Sequence, residues 1–212
     1  MKVYIDCDVA VKLAKWGLLK RFALHLSKQG KAQLYTVKTL RFKFKLQDPS
    51  KAVSLLGSAD AVQQLIDFVA VCQEAKGQDQ AVAMALVDVP SIDAGEAALF
   101  AAAAQFDAVL VDTGDKNAIR ALGALGNANP AVKALQSKIA CLEQSVGYMV
   151  ERWTFATVNA AIKTCEAADK ATATCFAGND EALAFQALGG RIQALSEVSA
   201  GVLSAEPFSW VP

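Results

Sequence analysis

Short apolar runs, each closed by a polar or acidic residue and separated by stretches of helical spacing, constrain the fold of this chain most. The candidate strands are residues 3–5, 33–37, 84–89, 109–111 and 139–142. Short runs without a polar residue, such as 3–5 and 109–111, are typical of strands buried on both faces. Because candidate strands alternate with candidate helices, the sequence predicts an α/β fold with a parallel central sheet.

Helical spacing marks the segments between these strands. The predicted helices are residues 9–28, 58–77, 93–106 and 116–122, and Asp48 with Pro49 fits the start of another. Residues 38–51 are ambiguous, because cations interleave with apolar residues at 40–46. This alternation fits a strand with one basic face or the start of a basic helix, and we expect Phe42 and Phe44 to pack in the core.

The character of the chain changes after about residue 153. Residues 155–176 and 181–203 have helical composition and are separated by Gly178, Asn179 and Asp180. Glycine suits the end of one helix, and asparagine or aspartate suits the start of the next. We therefore predict an α/β domain over residues 1–150 and a C-terminal helical hairpin over residues 151–212, packed on that domain.

The charges are balanced overall but unevenly distributed along the chain. The 212 residues carry no net charge, yet residues 1–51 hold 12 Lys and Arg against 3 Asp and Glu, and the rest holds 9 against 18. This asymmetry fits either an anionic partner or neutralisation of one half by the other.

Five scattered cysteines, no CxxC and one histidine argue against zinc and favour reduced thiols in a cytoplasmic protein. We see no signal peptide and expect no membrane contact.

Acidic residues follow the predicted strands and begin the predicted helices. Asp6 and Asp8 follow the first strand, Asp112 and Asp115 follow the fourth, and Glu96 lies in the helix before it. Because the carboxyl ends of parallel strands share one edge of a sheet, these acids converge if their strands are neighbours. Clustered carboxylates repel each other unless protons or hard cations such as Mg²⁺ or Mn²⁺ neutralise them.

Most of these acids also have a simpler explanation as helix caps. Asp93 and Glu96 have the spacing of a capping box, Asp115 suits the start of the helix from residue 116, and Asp8 suits the start of the first helix. Asp6 has no comparable capping role in the predicted structure, so it is the acid that points most directly to function.

The order of these motifs resembles the PIN domain, a fold of metal-dependent nucleases that includes the toxin ribonucleases of bacterial toxin–antitoxin pairs. Residues 3–9, Val-Tyr-Ile-Asp-Cys-Asp-Val, resemble its opening strand with a metal-binding aspartate, here Asp6. Residues 95–104, Gly-Glu-Ala-Ala-Leu-Phe-Ala-Ala-Ala-Ala, resemble the Gly-Glu helix of one branch, with Glu96 as the acid. Residues 109–115, Val-Leu-Val-Asp-Thr-Gly-Asp, resemble its Thr-x-Asp strand end, with Thr113 and Asp115. Residues 138–143 resemble its last strand.

The resemblance covers about residues 1–150 and implies a three-layer α/β/α fold and a metal-dependent endoribonuclease. The toxin of a toxin–antitoxin pair is one form that such an enzyme takes. It implies the catalytic acids Asp6, Glu96, Asp115 and Asp112. It implies that these four acids and Asp8 hold Mg²⁺ or Mn²⁺. The residues expected to contact RNA are Lys38, Arg41, Lys43, Lys45 and Thr113. Base stacking on Phe42 and Phe44 is the alternative to their expected packing in the core. An antitoxin protein and a second copy of the chain are the other expected partners.

Two alternatives stay open from the sequence. PIN nucleases commonly carry a further Glu on the helix after the second strand, where this chain has Lys38, Arg41, Lys43 and Lys45 instead. A PIN-like binding module without catalytic activity is therefore one alternative.

The second alternative is a phosphatase of the haloacid dehalogenase superfamily. Residues 5–8, Ile-Asp-Cys-Asp, resemble its Asp-x-Asp motif, and Gly114 with Asp115 resembles its late Gly-Asp. That family usually has Thr or Val where this chain has Ala10, and its Gly-Asp follows a strand directly, whereas two residues intervene here.

Overall fold

The strand order of the central sheet places the first strand beside the fourth. The computed structural model describes residues 1–211 and contains a five-stranded, entirely parallel sheet in the order β3-β2-β1-β4-β5. The chain runs from β1 outward through β2 and β3, then returns to pair β4 with the other side of β1. The direction of winding therefore reverses between β1 and β4, and ligands of open α/β sheets bind at such a point.

The strands are β1 (Lys2–Ile5), β2 (Gln33–Thr36), β3 (Gln73–Glu74), β4 (Val109–Thr113) and β5 (Ile139–Cys141). The helices of the first half are α1 (Cys7–Lys15), α2 (Leu19–Lys28), α3 (Thr39–Lys43), α4 (Pro49–Leu56), α5 (Ala59–Val71), α6 (Gln80–Ala85) and α7 (Ala94–Ala103). Those of the second half are α8 (Lys116–Ala124), α9 (Pro130–Ala134), α10 (Leu142–Trp153), α11 (Phe155–Thr164), α12 (Lys170–Cys175) and α13 (Glu181–Ser196). Within residues 1–211, no helix has both the length and the apolar character needed to cross a bilayer.

Burial of consecutive residues shows that the central strands are covered on both faces. All five residues of β4 are buried, as are Val3, Tyr4 and Ile5 of β1. Because neighbouring side chains of a strand point to opposite faces, this pattern requires helices on both sides of the sheet. The α/β class, the parallel sheet and four of the five predicted strands are thus confirmed.

The predicted strand at residues 84–89 is wrong. Most of this run lies in or just after α6, which begins after Asp79, whose side chain accepts a hydrogen bond from the Val82 amide at 3.0 Å. Short apolar runs do not distinguish a strand from a helical segment by periodicity. The fifth strand is instead β3, whose two exposed polar residues carry no apolar signal.

Two further segments differ from the prediction. The single helix expected over residues 9–28 is two helices, separated at Gly17, which adopts a positive φ of 73°. The ambiguous basic segment forms α3, and its helical spacing buries Leu40 while leaving Phe42 54% exposed. Core packing of Phe42 is therefore wrong, whereas Phe44 does pack against the core.

The predicted two-helix hairpin at the C-terminus is not confirmed. The first expected helix is interrupted at Cys165, so residues 155–176 form α11, a 3₁₀ turn and α12 before α13 begins. This region contacts the α/β part directly. The Trp16 indole donates to the Cys165 carbonyl at 2.9 Å, and the Ile139 amide donates to the Val202 carbonyl at 3.0 Å. The boundary proposed near residue 150 stays a prediction.

Replacing Gly123 by alanine is expected to destabilise the fold by about 1–3 kcal/mol. Gly123 lies in α8 against the main chain of the C-terminal region, and an added Cβ would overlap the Val198 carbonyl oxygen. Main-chain atoms cannot rotate away as a flexible side chain does, so one of the two segments must shift. Urea unfolding of the purified variant measures the change in the free energy of unfolding.

Gly190 provides the matched control for this substitution. It lies inside α13, and apart from the adjacent residues and the backbone of its own helix no atom lies within 4 Å of the position its Cβ would occupy. Gly190→Ala is expected to raise stability by up to about 1 kcal/mol, because alanine is the better helix former. Equal effects of the two alanines would contradict a packing role for Gly123.

Candidate functional site

A cleft of about 520 Å³ opens at the carboxyl edge of the sheet, beside the point where the winding reverses. It is bounded by the end of β1, the segment after β2, and the N-terminal ends of α7 and α8. The acids that line it are Asp6, Asp8, Asp93, Glu96 and Asp115. Four of the five predicted metal-binding acids therefore share one cleft with Asp93, which the sequence suggested only as a helix cap.

Asp6 is fixed at the junction between β1 and α1. Ile5 pairs with Asp112 of β4, and the Asp6 amide donates to the Asp112 carbonyl at 2.9 Å. One Asp6 carboxylate oxygen accepts from the Cys7 amide at 2.7 Å and caps α1. The expectation that Asp8 caps this helix and that Asp6 has no capping role is therefore wrong, because α1 begins directly after β1. Burial, followed by the charges of Asp8 and Asp93, raises the pKa of Asp6 to about 6.

Glu96 combines a capping role with a place in the cleft. Its Oε2 accepts from the Asp93 amide at 2.8 Å, and the Asp93 carboxylate accepts from the Glu96 amide at 2.8 Å. The predicted capping box is therefore confirmed. Burial first, and then the charges of Asp115, Asp6 and Asp93, raise the pKa of Glu96 to about 7. These electrostatic effects show that the acids act on one another across the cleft.

Thr113 connects two of the acids from below the cleft. Its hydroxyl is 3.4 Å from Asp6 Oδ2, to which it can donate, and it accepts from the Asp115 amide at 3.2 Å. Asp115 in turn caps α8, accepting from Asn117 and Ala118 amides at 2.7 and 3.2 Å. Because Thr113 is completely buried, the predicted direct contact of its side chain with RNA is wrong. Its position suits orienting Asp6 and Asp115.

Asp112 lies behind the cleft rather than on its wall. Its side chain is fully buried, one oxygen accepts from the Ser145 hydroxyl at 2.7 Å, and the other finds no partner within residues 1–211. Burial raises the pKa of Asp112 to about 7, and the charge of Asp6 adds to this increase. Asp112 therefore contributes a nearby charge but no surface for a ligand.

A lysine missed in the sequence neutralises Asp8. Lys12 lies 2.5 Å from Asp8 Oδ2 and 2.7 Å from Asp169 Oδ2, which belongs to the residue that caps α12. Gly114 gives this arrangement room, because a Cβ at that position would overlap the Asp8 carboxylate. The C-terminal region thus reaches the rim of the cleft. The Asp169–Lys12 ion pair joins residues far apart in the chain, and no local sequence pattern predicts it.

Glu143 is a second buried acid that the sequence interpretation left without a role. It lies just after β5, is 1% exposed, and has Oε1 2.7 Å from Lys116 Nζ. The ammonium is not aligned for a hydrogen bond, and Oε2 has no partner within residues 1–211. The strand predicted over residues 139–142 ends directly before Glu143, which is the same signal that identified Asp6, so the sequence contained a clue.

Four of the predicted RNA-binding residues are cations, and all four are exposed: Lys38 directly before α3, Arg41 and Lys43 within it, and Lys45 after it. Lys43 lines the acidic cleft, together with Thr39. Lys38 and Arg41 line a neighbouring cavity, and Lys45 lines neither. None of the four cations has a carboxylate within ion-pairing distance in the part of the chain that the structure describes.

The donor atoms of the cleft suit a hard divalent cation in kind. Asp6, Glu96 and Asp115 each accept from main-chain amides through one oxygen, and the second oxygen of Asp6 lies 3.4 Å from the Thr113 hydroxyl. Donor sets made only of carboxylate oxygens favour Mg²⁺ or Mn²⁺ over softer ions. Within residues 1–211, however, no three acidic, cysteine or histidine side chains are close enough to ligate one ion together. A cation would therefore need side-chain movement or water to complete its coordination.

Comparison of the chain with protein-family models, with curated proteins and with solved structures gave no match.

Proposed function

We propose that this protein is a metal-dependent endoribonuclease of the PIN type. The observation that carries the proposal is the cleft in which Asp6, Glu96 and Asp115 meet, at the sheet edge where the winding reverses. Lys43 of α3 lines this cleft and Arg41 lines the adjoining cavity; neither has a carboxylate partner within residues 1–211, and both suit a polyanion. Roles as a toxin with an antitoxin partner, as a homo-oligomer and in the cytoplasm stay predictions.

In the proposed hydrolysis of a phosphodiester, the residues of the cleft have different roles: metal binding, positioning of the metal ligands and phosphate contact. Asp6, Glu96 and Asp115 would hold Mg²⁺ or Mn²⁺, which supplies Lewis acidity and lowers the pKa of an attacking water. Thr113 holds Asp6 and Asp115 in place from below, and Asp112 adds negative charge behind them. The ammonium of Lys43 offers a contact for a backbone phosphate at the mouth of the cleft.

Lys43 also favours the second candidate function, a binding module without catalysis. It lies in the cleft on the helix after β2, the element where PIN nucleases commonly carry a further glutamate. A cation at that place opposes a second metal ion nearby by charge repulsion. The two candidates therefore differ in whether the remaining acids bind a divalent cation.

Addition of Mg²⁺ or Mn²⁺ to protein first treated with EDTA is expected to raise the melting temperature. A ligand that binds only the folded state at about ten times its Kd adds about 1.4 kcal/mol of stability. For a chain of this size that corresponds to a rise of about 3–6 °C. Differential scanning fluorimetry near pH 7.5 measures the shift.

Asp115→Asn and Asp180→Asn form a matched pair for this measurement. Both aspartates cap helices through a side-chain oxygen, but only Asp115 lies in the cleft. The metal-dependent rise should disappear in Asp115→Asn and persist in Asp180→Asn. A wild-type protein that shows no shift and does not cut RNA with either metal would favour the binding module.

A further inference from the structure

A second cavity lies against the acidic cleft on the other side of α3. Its volume is about 310 Å³, and its walls come from the ends of β2 and α5, from β3 and from α3. Val37 lines both this cavity and the acidic cleft. The two spaces are therefore neighbours along the carboxyl edge of the sheet, with α3 between them.

The helical spacing of α3 gives its two sides different chemistry. Thr39 and Lys43, four residues apart, face the acidic cleft. Lys38, Arg41 and Phe42 line the second cavity. The short helix and the residue before it thus present one cation to the acids, and two cations with an aromatic ring to the adjoining space.

Phe42 is exposed in a way that the fold itself does not require. Its ring is 54% exposed, whereas Phe44, two residues later, packs against the core and Leu40 is fully buried. Within residues 1–211, no other aromatic ring stacks on Phe42 and no cation lies over it. Its face is therefore open to a ligand.

The charged groups around Phe42 suit a flexible polyanion. One Arg41 nitrogen is 3.4 Å from the Val69 carbonyl, so the guanidinium rests against the last turn of α5. Neither Arg41 nor Lys38 has an acidic partner within residues 1–211, and the acid that lines the cavity, Glu74, lies 3.9 Å from Lys76. The cations next to the ring are thus available to phosphate groups.

We propose that the second cavity is a subsite for an unpaired nucleobase of single-stranded RNA. The base stacks on Phe42, and the phosphates on either side of it contact Lys38 and Arg41. The strand then passes over Val37 and Lys43 into the acidic cleft. Base–aromatic stacking beside a basic track is how single-stranded nucleic acids are commonly held. This inference deepens the proposed nuclease function and rests on it for the choice of RNA.

The test is a binding measurement that does not depend on cleavage. Fluorescence anisotropy with a labelled single-stranded RNA of about eight nucleotides, in EDTA, reports affinity alone. Phe42→Ala is expected to weaken binding at least about fivefold, and Phe42→Trp is expected to restore it. Leu183→Ala, which shortens another exposed apolar side chain on α13, should leave the affinity unchanged. Circular dichroism checks that each variant is folded.

Three comparisons separate stacking from simple charge attraction. An oligomer of the same length without bases should bind wild type and Phe42→Ala equally. Double-stranded RNA should show no dependence on Phe42, because its bases are already stacked. Arg41→Gln should reduce the magnitude of the slope of log affinity against log salt by about one, the value of one phosphate contact. Phe42→Ala should leave this slope unchanged. Binding of single-stranded DNA of the same sequence shows whether the subsite recognises the base or the ribose.

The outcomes of this test and of the cleavage assay are distinguishable. Unchanged binding in Phe42→Ala, or no measurable binding to any nucleic acid, overturns the subsite even if the wild type cuts RNA with Mn²⁺. Binding that depends on Phe42, in a protein that never cuts RNA with metal, supports the subsite and overturns the nuclease.

Discussion

Asp6→Asn is expected to lower RNA cleavage by at least about 100-fold without unfolding the protein. Substitution of groups that merely orient metal ligands typically costs 10- to 100-fold, and Asp6 is itself a proposed ligand. Asparagine keeps the oxygen that accepts from the Cys7 amide, so the cap of α1 survives. What changes is the charge of the cleft. Cleavage of a labelled RNA with Mn²⁺ under single-turnover conditions measures the loss.

A cap outside the cleft provides the control for this variant. Asp79 caps α6 through a side-chain oxygen, as Asp6 caps α1. Asp79→Asn removes one negative charge from such a cap and should cut RNA like the wild type. Cleavage by Asp6→Asn at the wild-type rate would show that the assignment of the acids is wrong. Comparable losses in both variants would point to a general effect of charge.

Asp112→Asn is expected to stabilise the protein at alkaline pH, without metal, by up to about 4 kcal/mol. The pKa of Asp112 is raised from an ordinary value of 3.8 to about 7 in the folded state. Between these values the folded protein retains a proton that the unfolded chain releases, so stability falls as the pH rises. Above pH 7 the buried carboxylate is charged, and the full penalty of about 1.4 kcal/mol per pKa unit remains. Asparagine stays neutral and avoids it.

Urea unfolding in EDTA at about pH 4, 6 and 8 measures this dependence. The variant and the wild type should be similar at the lowest pH and diverge as the pH rises from about 4 to about 7, above which their difference stays constant. Ser145→Ala should change stability in the opposite sense at high pH, because it removes the hydrogen bond that lowers the pKa of Asp112. A variant less stable than the wild type by the same amount at every pH would contradict a charge penalty at Asp112.

The parts of the site that the sequence predicted are those set by strand ends. An apolar run identifies a central strand, and the residue after it lies at the carboxyl edge of the sheet wherever that strand pairs. Asp6 and Asp115 follow from this rule, once β1 and β4 prove to be neighbours. Glu96 follows from the capping-box spacing, which fixes its place in the first turn of a helix. The resemblance to the PIN domain added the choice of chemistry.

The features that the sequence did not predict depend on contacts between residues distant in the chain or on weak local signals. Ser145 and Asp169 meet Asp112 and Lys12 only because the C-terminal half packs against the sheet. The alternating pattern at residues 40–46 also fits a strand, so it did not predict the exposure of Phe42. That exposure follows from the helical spacing of α3.

Both outer borders of the sheet are protected against pairing with another molecule. On one side, the C-terminal segment covers β5, where Ile139 donates to Val202 and accepts from the Ser204 amide at 2.7 Å. On the other side, β3 is only two residues long. Open strand edges are templates for aggregation, and natural proteins suppress them by coverage or by shortening. Residues 202–204 thus occupy the hydrogen-bonding edge of β5 and remove it as a template on which another molecule could pair.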